Sequence, residues 1–139
     1  MGIEAQAFLV YGVSLGNELP SKFKLEDADY LDLEDVLAAH TGLVNPGYAS
    51  PEYPAYNAKK AALYAACPVD LIVYGTDENP LYLLCVKGST ISADDEGPSR
   101  VKVEQLTVSE DKVKAFQDFC KEYGVNRGSL AWLLIARRC

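Results

Sequence analysis

The chain has 139 residues, of which 49% are hydrophobic and 24% charged, and its formal net charge is −7 at pH 7. This length is typical of one domain, and the composition excludes a wholly disordered protein. The longest apolar runs are far shorter than the roughly 20 residues of a membrane-spanning helix. The first residues also lack the basic stretch and apolar core of a secretory signal.

The first half of the chain predicts a strand followed by two helices. Residues 4–13 are almost continuously apolar, which favours a central strand buried on both faces. Residues 25–40 carry apolar side chains at helical spacing, with acids crowded into the first turns. Residues 41–56 hold three prolines and two glycines and predict a long loop. Residues 55–66 are rich in alanine and predict the second helix.

The second half predicts mainly strands. Residues 69–74 and 81–87 are rich in branched and aromatic side chains and predict a hairpin. Residues 89–92 suit a short edge strand. Residues 100–106 alternate between apolar and charged side chains, which is typical of a half-exposed strand. Residues 131–136 predict a last apolar strand.

A third helix is predicted between these last two strands. Thr107 and Glu110 have the spacing of a capping box, and Gly124 follows the last apolar position of the helix. The order of elements, with a hairpin at its centre, predicts an α+β fold. We expect a single domain over residues 1–139, with a mainly antiparallel sheet of about five strands and three helices.

The charge is concentrated near the start of the chain. Residues 1–57 hold nine acids and two lysines, whereas residues 58–139 are neutral, with eleven acids and eleven bases. Such a field repels nucleic acid and attracts basic partners. Asp29, Asp32 and Asp35 are the candidate binding carboxylates. The alternatives are a solvated helix face that keeps the protein soluble and a mimic of a phosphate backbone.

The tyrosines of the predicted loop are the second candidate feature. Tyr48, Tyr53 and Tyr56 offer large contact areas with polar tips, as in many interface anchors. The alternative is that the rings pack down onto the neighbouring helix or the sheet end. Lys59 and Lys60 follow directly, so an anionic small molecule is a further option at this loop.

The sequence holds no pattern typical of a metal, cofactor or catalytic site. Its four cysteines form no Cys-x-x-Cys pair, and Cys67, Cys85 and Cys120 lie in apolar patterns typical of buried thiols. The single histidine, His40, falls at a predicted helix end, where a capping cation is more common than a catalytic base. No cofactor, metal ligand or catalytic residue is predicted.

Three segments resemble a group of small, acidic, uncharacterised accessory proteins of tailed bacteriophages. The segments are AFLVYGVSL at 7–15, AACPVDLIV at 65–73 and PLYLLCV at 80–86. The group has no assigned activity, so the resemblance transfers no functional residues. It implies a phage-encoded protein that acts in the cytoplasm of a bacterial host.

These observations favour a non-enzymatic acidic binding protein that acts on a host macromolecule. The expected partner is a protein with a basic surface, and neither nucleic acid nor a membrane is expected to bind directly. The alternative is a small-molecule binder or minor enzyme with a pocket near the tyrosine loop. A homo-oligomer formed through residues 131–136 is a third option.

Overall fold

The structure, a computed structural model, describes residues 5–24, 32–76, 78–93, 100–125 and 129–138. The chain divides into two compact units. The first, here called the sheet unit, comprises Met1–Leu19 and Pro68–Cys139. The second, the helical unit, comprises Pro20–Cys67. Each is described by itself below.

The sheet unit is built on five strands, all paired antiparallel, with β1 at the centre. Strand β5 pairs with β1 along one edge, while β3 and β4 both pair with its other edge and β2 lies beyond β3. The strands are β1 (Ala5–Gly16), β2 (Val69–Gly75), β3 (Pro80–Val86), β4 (Ile91–Ser92) and β5 (Ala131–Arg138). Together with the three α-helices described below, this sheet confirms the predicted α+β fold.

The predicted burial of β1 is confirmed. Val10, Val13 and Leu15 are buried, and Val10 packs in one core cluster with Leu83, Cys85 and Ile135. These residues come from three different strands, so the apolar run at the start of the chain forms the middle of the sheet.

The partner of β1 is interrupted between β3 and β4. Gly12 lies opposite Cys85 and Leu9 lies opposite Ile91, so three residue steps along β1 face six residue steps along the stretch from β3 to β4. Three extra residues therefore leave the ladder. The Tyr11 backbone N–H, which would otherwise bond to a strand neighbour, donates to Ser89 Oγ at 3.2 Å. The segment 87–90 thus forms a bulge that stays attached to β1.

The third predicted helix is present as α3 (Glu110–Glu122). Its N-cap is Ser109, whose hydroxyl accepts the Lys112 N–H at 3.3 Å, so the predicted capping box of Thr107 and Glu110 is wrong. The prediction for Gly124 is confirmed. This residue has φ +72°, and the next N–H, of Val125, donates back to the Cys120 carbonyl at 2.7 Å.

The strand predicted at 100–106 is wrong. Val103–Leu106 form a short 3-10 helix, closed by a bond from the Gln105 N–H to the Lys102 carbonyl at 2.9 Å. The Gln105 side chain accepts the Lys102 N–H at 2.8 Å and holds the turn. Val103 is 79% exposed, so the apolar alternation does not mark a buried face here.

The helical unit contains two α-helices, α1 (Leu33–His40) and α2 (Tyr53–Ala66), after a 3-10 turn at Ser21–Phe23. The predicted helix over 25–40 is confirmed from Leu33 onward, and residues 25–31 lie outside the described residues. The loop predicted over 41–56 is confirmed up to residue 52, and it is wrong for residues 53–56, because α2 begins at Tyr53. No helix among the described residues is both long and apolar enough to cross a membrane.

Candidate functional site

Three tyrosine rings form a continuous row in the helical unit. The Tyr48 and Tyr53 rings are stacked, with centroids 4.6 Å apart and planes 21° apart. The Tyr53 and Tyr56 rings are tilted at 6.0 Å. Tyr56 is 9% exposed, whereas Tyr48 is 89% exposed. This tyrosine row therefore runs from a buried ring to a ring open to solvent, and its role as a recognition surface stays a prediction.

The loop before α2 is folded by its own polar side chains. Asn45 Oδ1 accepts the Gly47 N–H at 2.8 Å, and the Ser50 N–H donates to the Gly47 carbonyl at 3.1 Å. Ser50 Oγ then accepts the Glu52 N–H at 3.2 Å, and the Ser50 carbonyl accepts the Tyr53 N–H at 3.1 Å. These bonds carry the loop directly into α2, so Tyr48 is held beside Tyr53 by local structure.

One tyrosine of the row, Tyr53, has a pKa above its ordinary value. A hydrogen bond with Tyr48 raises the pKa of Tyr53, and the slight burial of the ring adds to this effect. A tyrosine that donates a hydrogen bond keeps its proton more firmly. Tyr53 therefore stays uncharged near neutral pH.

A lysine and an aspartate support the buried end of the row. Lys60 Nζ donates to Asp35 Oδ1 at 3.0 Å and lies 5.6 Å from the centre of the Tyr56 ring. The Lys60 side chain is only 13% exposed. The hydrogen bond with Asp35 raises the pKa of Lys60 above its usual value, against the opposing effect of burial. The pair joins α1 to α2 and places a cation against the row.

Of the three candidate acids, two have structural partners and one lies outside the described residues, namely Asp29. Asp32 caps α1 by accepting the Glu34 N–H at 2.9 Å, and Asp35 binds Lys60. Their electrostatic role toward a partner stays a prediction. The sequence shows that Lys60 follows the tyrosines closely. It does not reveal the pairing of Lys60 with Asp35, 25 positions earlier, because only the packing of α1 against α2 brings the two side chains together.

The cysteines have the buried environment that the sequence predicts. Cys67, Cys85 and Cys120 are buried and form no disulfide, while Cys139 lies outside the described residues. Burial raises the pKa of Cys85 and of Cys120 to about 11. Both therefore stay protonated near neutral pH and pack as small apolar groups. The described part of the chain holds no cluster of three or more His, Cys, Asp or Glu side chains suited to a metal ion.

A groove of about 530 Å³ lies in the sheet unit. It is lined by residues of the β3–β4 bulge, of the segment that leads into α3, and by Trp132 of β5. No residue of the tyrosine loop lines it. The sequence did not reveal this groove because its walls come from three separate stretches, one of which resembled a strand. A pocket at the tyrosine loop itself stays a prediction.

Comparison with protein-family models, with curated proteins and with solved structures finds no match for this chain.

Proposed function

We propose that this protein is a non-enzymatic binding protein that engages another protein through the open end of its tyrosine row. The observation that carries the proposal is Tyr48, a large ring that is 89% exposed yet stacked in place on Tyr53 at 4.6 Å. An exposed aromatic ring gains little in the unbound protein, where its free face meets only water. A partner that covers this face removes apolar surface from water.

The stacking of the ring favours tight binding. A side chain that is already held in one orientation loses less conformational freedom when a partner covers it. Tyrosines of this kind are common among the few residues that dominate binding energy at protein interfaces. Val44, on the same loop, is 83% exposed and adds apolar surface near the ring in sequence. The loop therefore offers an aromatic anchor together with an aliphatic contact.

The charge of the chain favours a basic partner. The net charge is −7, and the excess of acids lies within residues 1–57, which include the tyrosine row. The faces of aromatic rings also attract guanidinium and ammonium groups. Lys60 already occupies such a position over Tyr56 at the buried end of the row. We expect the partner to bring an arginine or lysine onto the open face of Tyr48 in the same way.

We propose further that this interaction takes place inside a bacterial host cell. The resemblance of three segments to accessory proteins of tailed phages supports a phage-encoded protein that acts in the bacterial cytoplasm. The partner would then be a host protein with a basic surface. A bacterial lysate is therefore the appropriate source in which to search for the partner.

Replacing Tyr48 with alanine is expected to lower capture of the partner about tenfold, which is the effect of truncating an aromatic anchor. Tyr48→Phe keeps the ring and its stacking and should retain most of the capture. The measurement is quantitative mass spectrometry of proteins retained from bacterial lysate by immobilised wild type, Tyr48→Ala and Tyr48→Phe. Raising the salt concentration should weaken capture if basic residues of the partner contribute.

Val103→Ala is the matched control because Val103 is a similarly exposed apolar side chain of the sheet unit, at 79% exposure. Its capture profile should equal that of the wild type. Equal capture by wild type and Tyr48→Ala, or no protein enriched by the wild type, contradicts the proposal. A rise in melting temperature with a small metabolite that Tyr48→Ala abolishes would instead favour a small-molecule site at the loop.

A further inference from the structure

The groove in the sheet unit has the size and lining of a small-molecule site. Its volume of about 530 Å³ falls within the range of typical ligand pockets, roughly 300–1,000 Å³. One side is the bulge 87–90 and the start of β4, and the opposite side is the segment 105–109 with Lys112. Trp132 completes the wall. These residues all belong to the sheet unit, whereas the tyrosine row belongs to the helical unit.

Three polar side chains on one side of the groove, Gln105, Thr107 and Ser109, can donate hydrogen bonds to a ligand. Gln105 Oε1 accepts the Lys102 N–H at 2.8 Å, which fixes the orientation of the amide and keeps its NH₂ group for another acceptor. Ser109 Oγ accepts the Lys112 N–H at 3.3 Å and retains its own hydrogen. The Thr107 hydroxyl adds a further donor. Gln105, Ser109 and Thr107 can therefore each donate a hydrogen bond to a ligand that accepts one.

The charge at the groove favours an anion. Lys87 and Lys112 line it, and none of its described lining residues is an aspartate or glutamate. Glu110 and Asp111 lie in the first turn of α3 and do not line the groove. Their negative charges offset the positive end of the helix dipole, so this end of the helix adds nothing to anion binding. The ammonium group of Lys112, on an exposed residue, is the cation that a ligand would meet.

Trp132 provides a fixed aromatic wall. Its Nε1–H donates to the Leu106 carbonyl at 3.0 Å, and its ring lies 5.2 Å from the Tyr11 ring. These contacts hold the indole in one position while it remains half-buried. Val86, Val108 and Ile91 add apolar surface to the same groove. A flat apolar group could therefore pack here while an attached oxyanion reaches the donors.

We propose that the groove binds a small organic anion in which a phosphate or carboxylate is attached to a planar ring. Lys112, Thr107, Ser109 and Gln105 bind the oxyanion, and Trp132 packs against the ring. The oxyanion alone and the ring alone each make only part of these contacts. Phenyl phosphate is the simplest probe that carries both groups, inorganic phosphate and phenol each carry one, and benzoate replaces the phosphate with a carboxylate.

The test uses the intrinsic fluorescence of Trp132, which is the only tryptophan of the chain. Titration with phenyl phosphate should change its emission in a saturable manner, with at least tenfold higher affinity than inorganic phosphate or phenol. Lys112→Gln should weaken phenyl phosphate at least fivefold. Lys114→Gln, an exposed lysine on the same helix that does not line the groove, should leave the affinity unchanged. Benzoate binding of similar strength would assign the site to oxyanions in general.

Isothermal titration calorimetry of the same protein variants with the same ligands provides a second readout. No saturable signal from the wild type up to about 10 mM phenyl phosphate by either method overturns the proposal. Equal affinity of wild type and Lys112→Gln overturns it as well, because the charge would then play no part. Tyr48→Ala should bind phenyl phosphate like the wild type, so this result and the lysate experiment succeed or fail separately.

Discussion

Replacing Gly12 with alanine is expected to lower the free energy of unfolding by about 3 kcal/mol, through overpacking in the centre of the sheet. Gly12 lies on β1 between Cys85 of β3 and Ala131 of β5, so it has a neighbouring strand on both sides. An added Cβ would overlap the carbonyl oxygen of Leu84 and lie 2.8 Å from the Cys85 Cα. Both obstacles are backbone atoms, which cannot move aside as a flexible side chain can.

Urea denaturation followed by Trp132 fluorescence measures this change, since the tryptophan lies on β5 beside β1. Ser14→Ala is the matched control, because Ser14 lies on the same strand two residues away and is exposed. Its free energy of unfolding should stay within about 0.5 kcal/mol of the wild type. A similar result for Gly12→Ala would mean that β3 and β1 can separate at this point without loss of the sheet.

The central role of β1 could be predicted from its apolar run, whereas the role of Gly12 could not. A glycine inside a strand pattern indicates a bulge or a close approach, and the sequence does not say which strand approaches. The bulge at 87–90 could not be predicted from the sequence either. Its three extra residues are visible only once β3 and β4 are both paired with β1.

Local hydrogen bonds account for the main error in the fold prediction. The alternation over 100–106 has the period of a strand, yet the Gln105 side chain bonds to the Lys102 backbone and closes a turn instead. The spacing of apolar side chains does not reveal a polar side chain that forms a hydrogen bond with the backbone and thereby prevents the backbone from joining a sheet. Ser109 likewise replaced Thr107 as the cap of α3 through one such bond.

The candidate site was predictable in its composition and not in its arrangement. The three tyrosines stand out in the segment 41–56, rich in proline and glycine, so they could be selected from the sequence, although Tyr53 and Tyr56 lie on α2. Which ring is exposed depends on how the loop turns onto α2, and this is set by Asn45 and Ser50. The groove lined by Trp132 could not be selected because its parts are distant in sequence.

Asp32 and Asp35 both have structural contacts, so replacing either of them does not test its charge alone. Neutralising Asp32 removes the cap of α1, and neutralising Asp35 removes the partner of Lys60, so either change would affect folding as well as any long-range attraction. Glu34 lies between them in the first turn of α1. Glu34→Gln changes the charge by the same amount and therefore isolates electrostatic attraction of a basic partner.

Replacing Asp35 with alanine is expected to lower the free energy of unfolding by about 2 kcal/mol, since Lys60 would lose its acceptor while remaining mostly buried. The Lys60 side chain is 13% exposed and that of Asp35 is 38% exposed, so the cost is smaller than for a fully buried pair. Glu34→Ala is the control. Both acids lie in the first turn of α1, so the loss of their favourable interaction with the helix dipole is shared.

The pH dependence of this difference identifies the pair as its source. The pKa of Lys60 is raised in the folded protein, so folding favours the protonated lysine. The contribution is fully present below the unfolded pKa of 10.5 and is lost as the pH rises through the higher folded pKa. Urea denaturation at neutral pH and again above pH 10.5 should therefore show a difference between wild type and Asp35→Ala that shrinks at the higher pH.

A loss of stability that is equal in Glu34→Ala, or that does not depend on pH, would contradict this assignment. Partner capture then separates the two roles of Asp35. Lys60 lies over Tyr56, which contacts Tyr53 and through it Tyr48. If Asp35→Ala lowers capture while Glu34→Gln does not, the acid acts by holding the tyrosine row in place. If both variants lower capture equally, the negative charge of α1 itself attracts the partner.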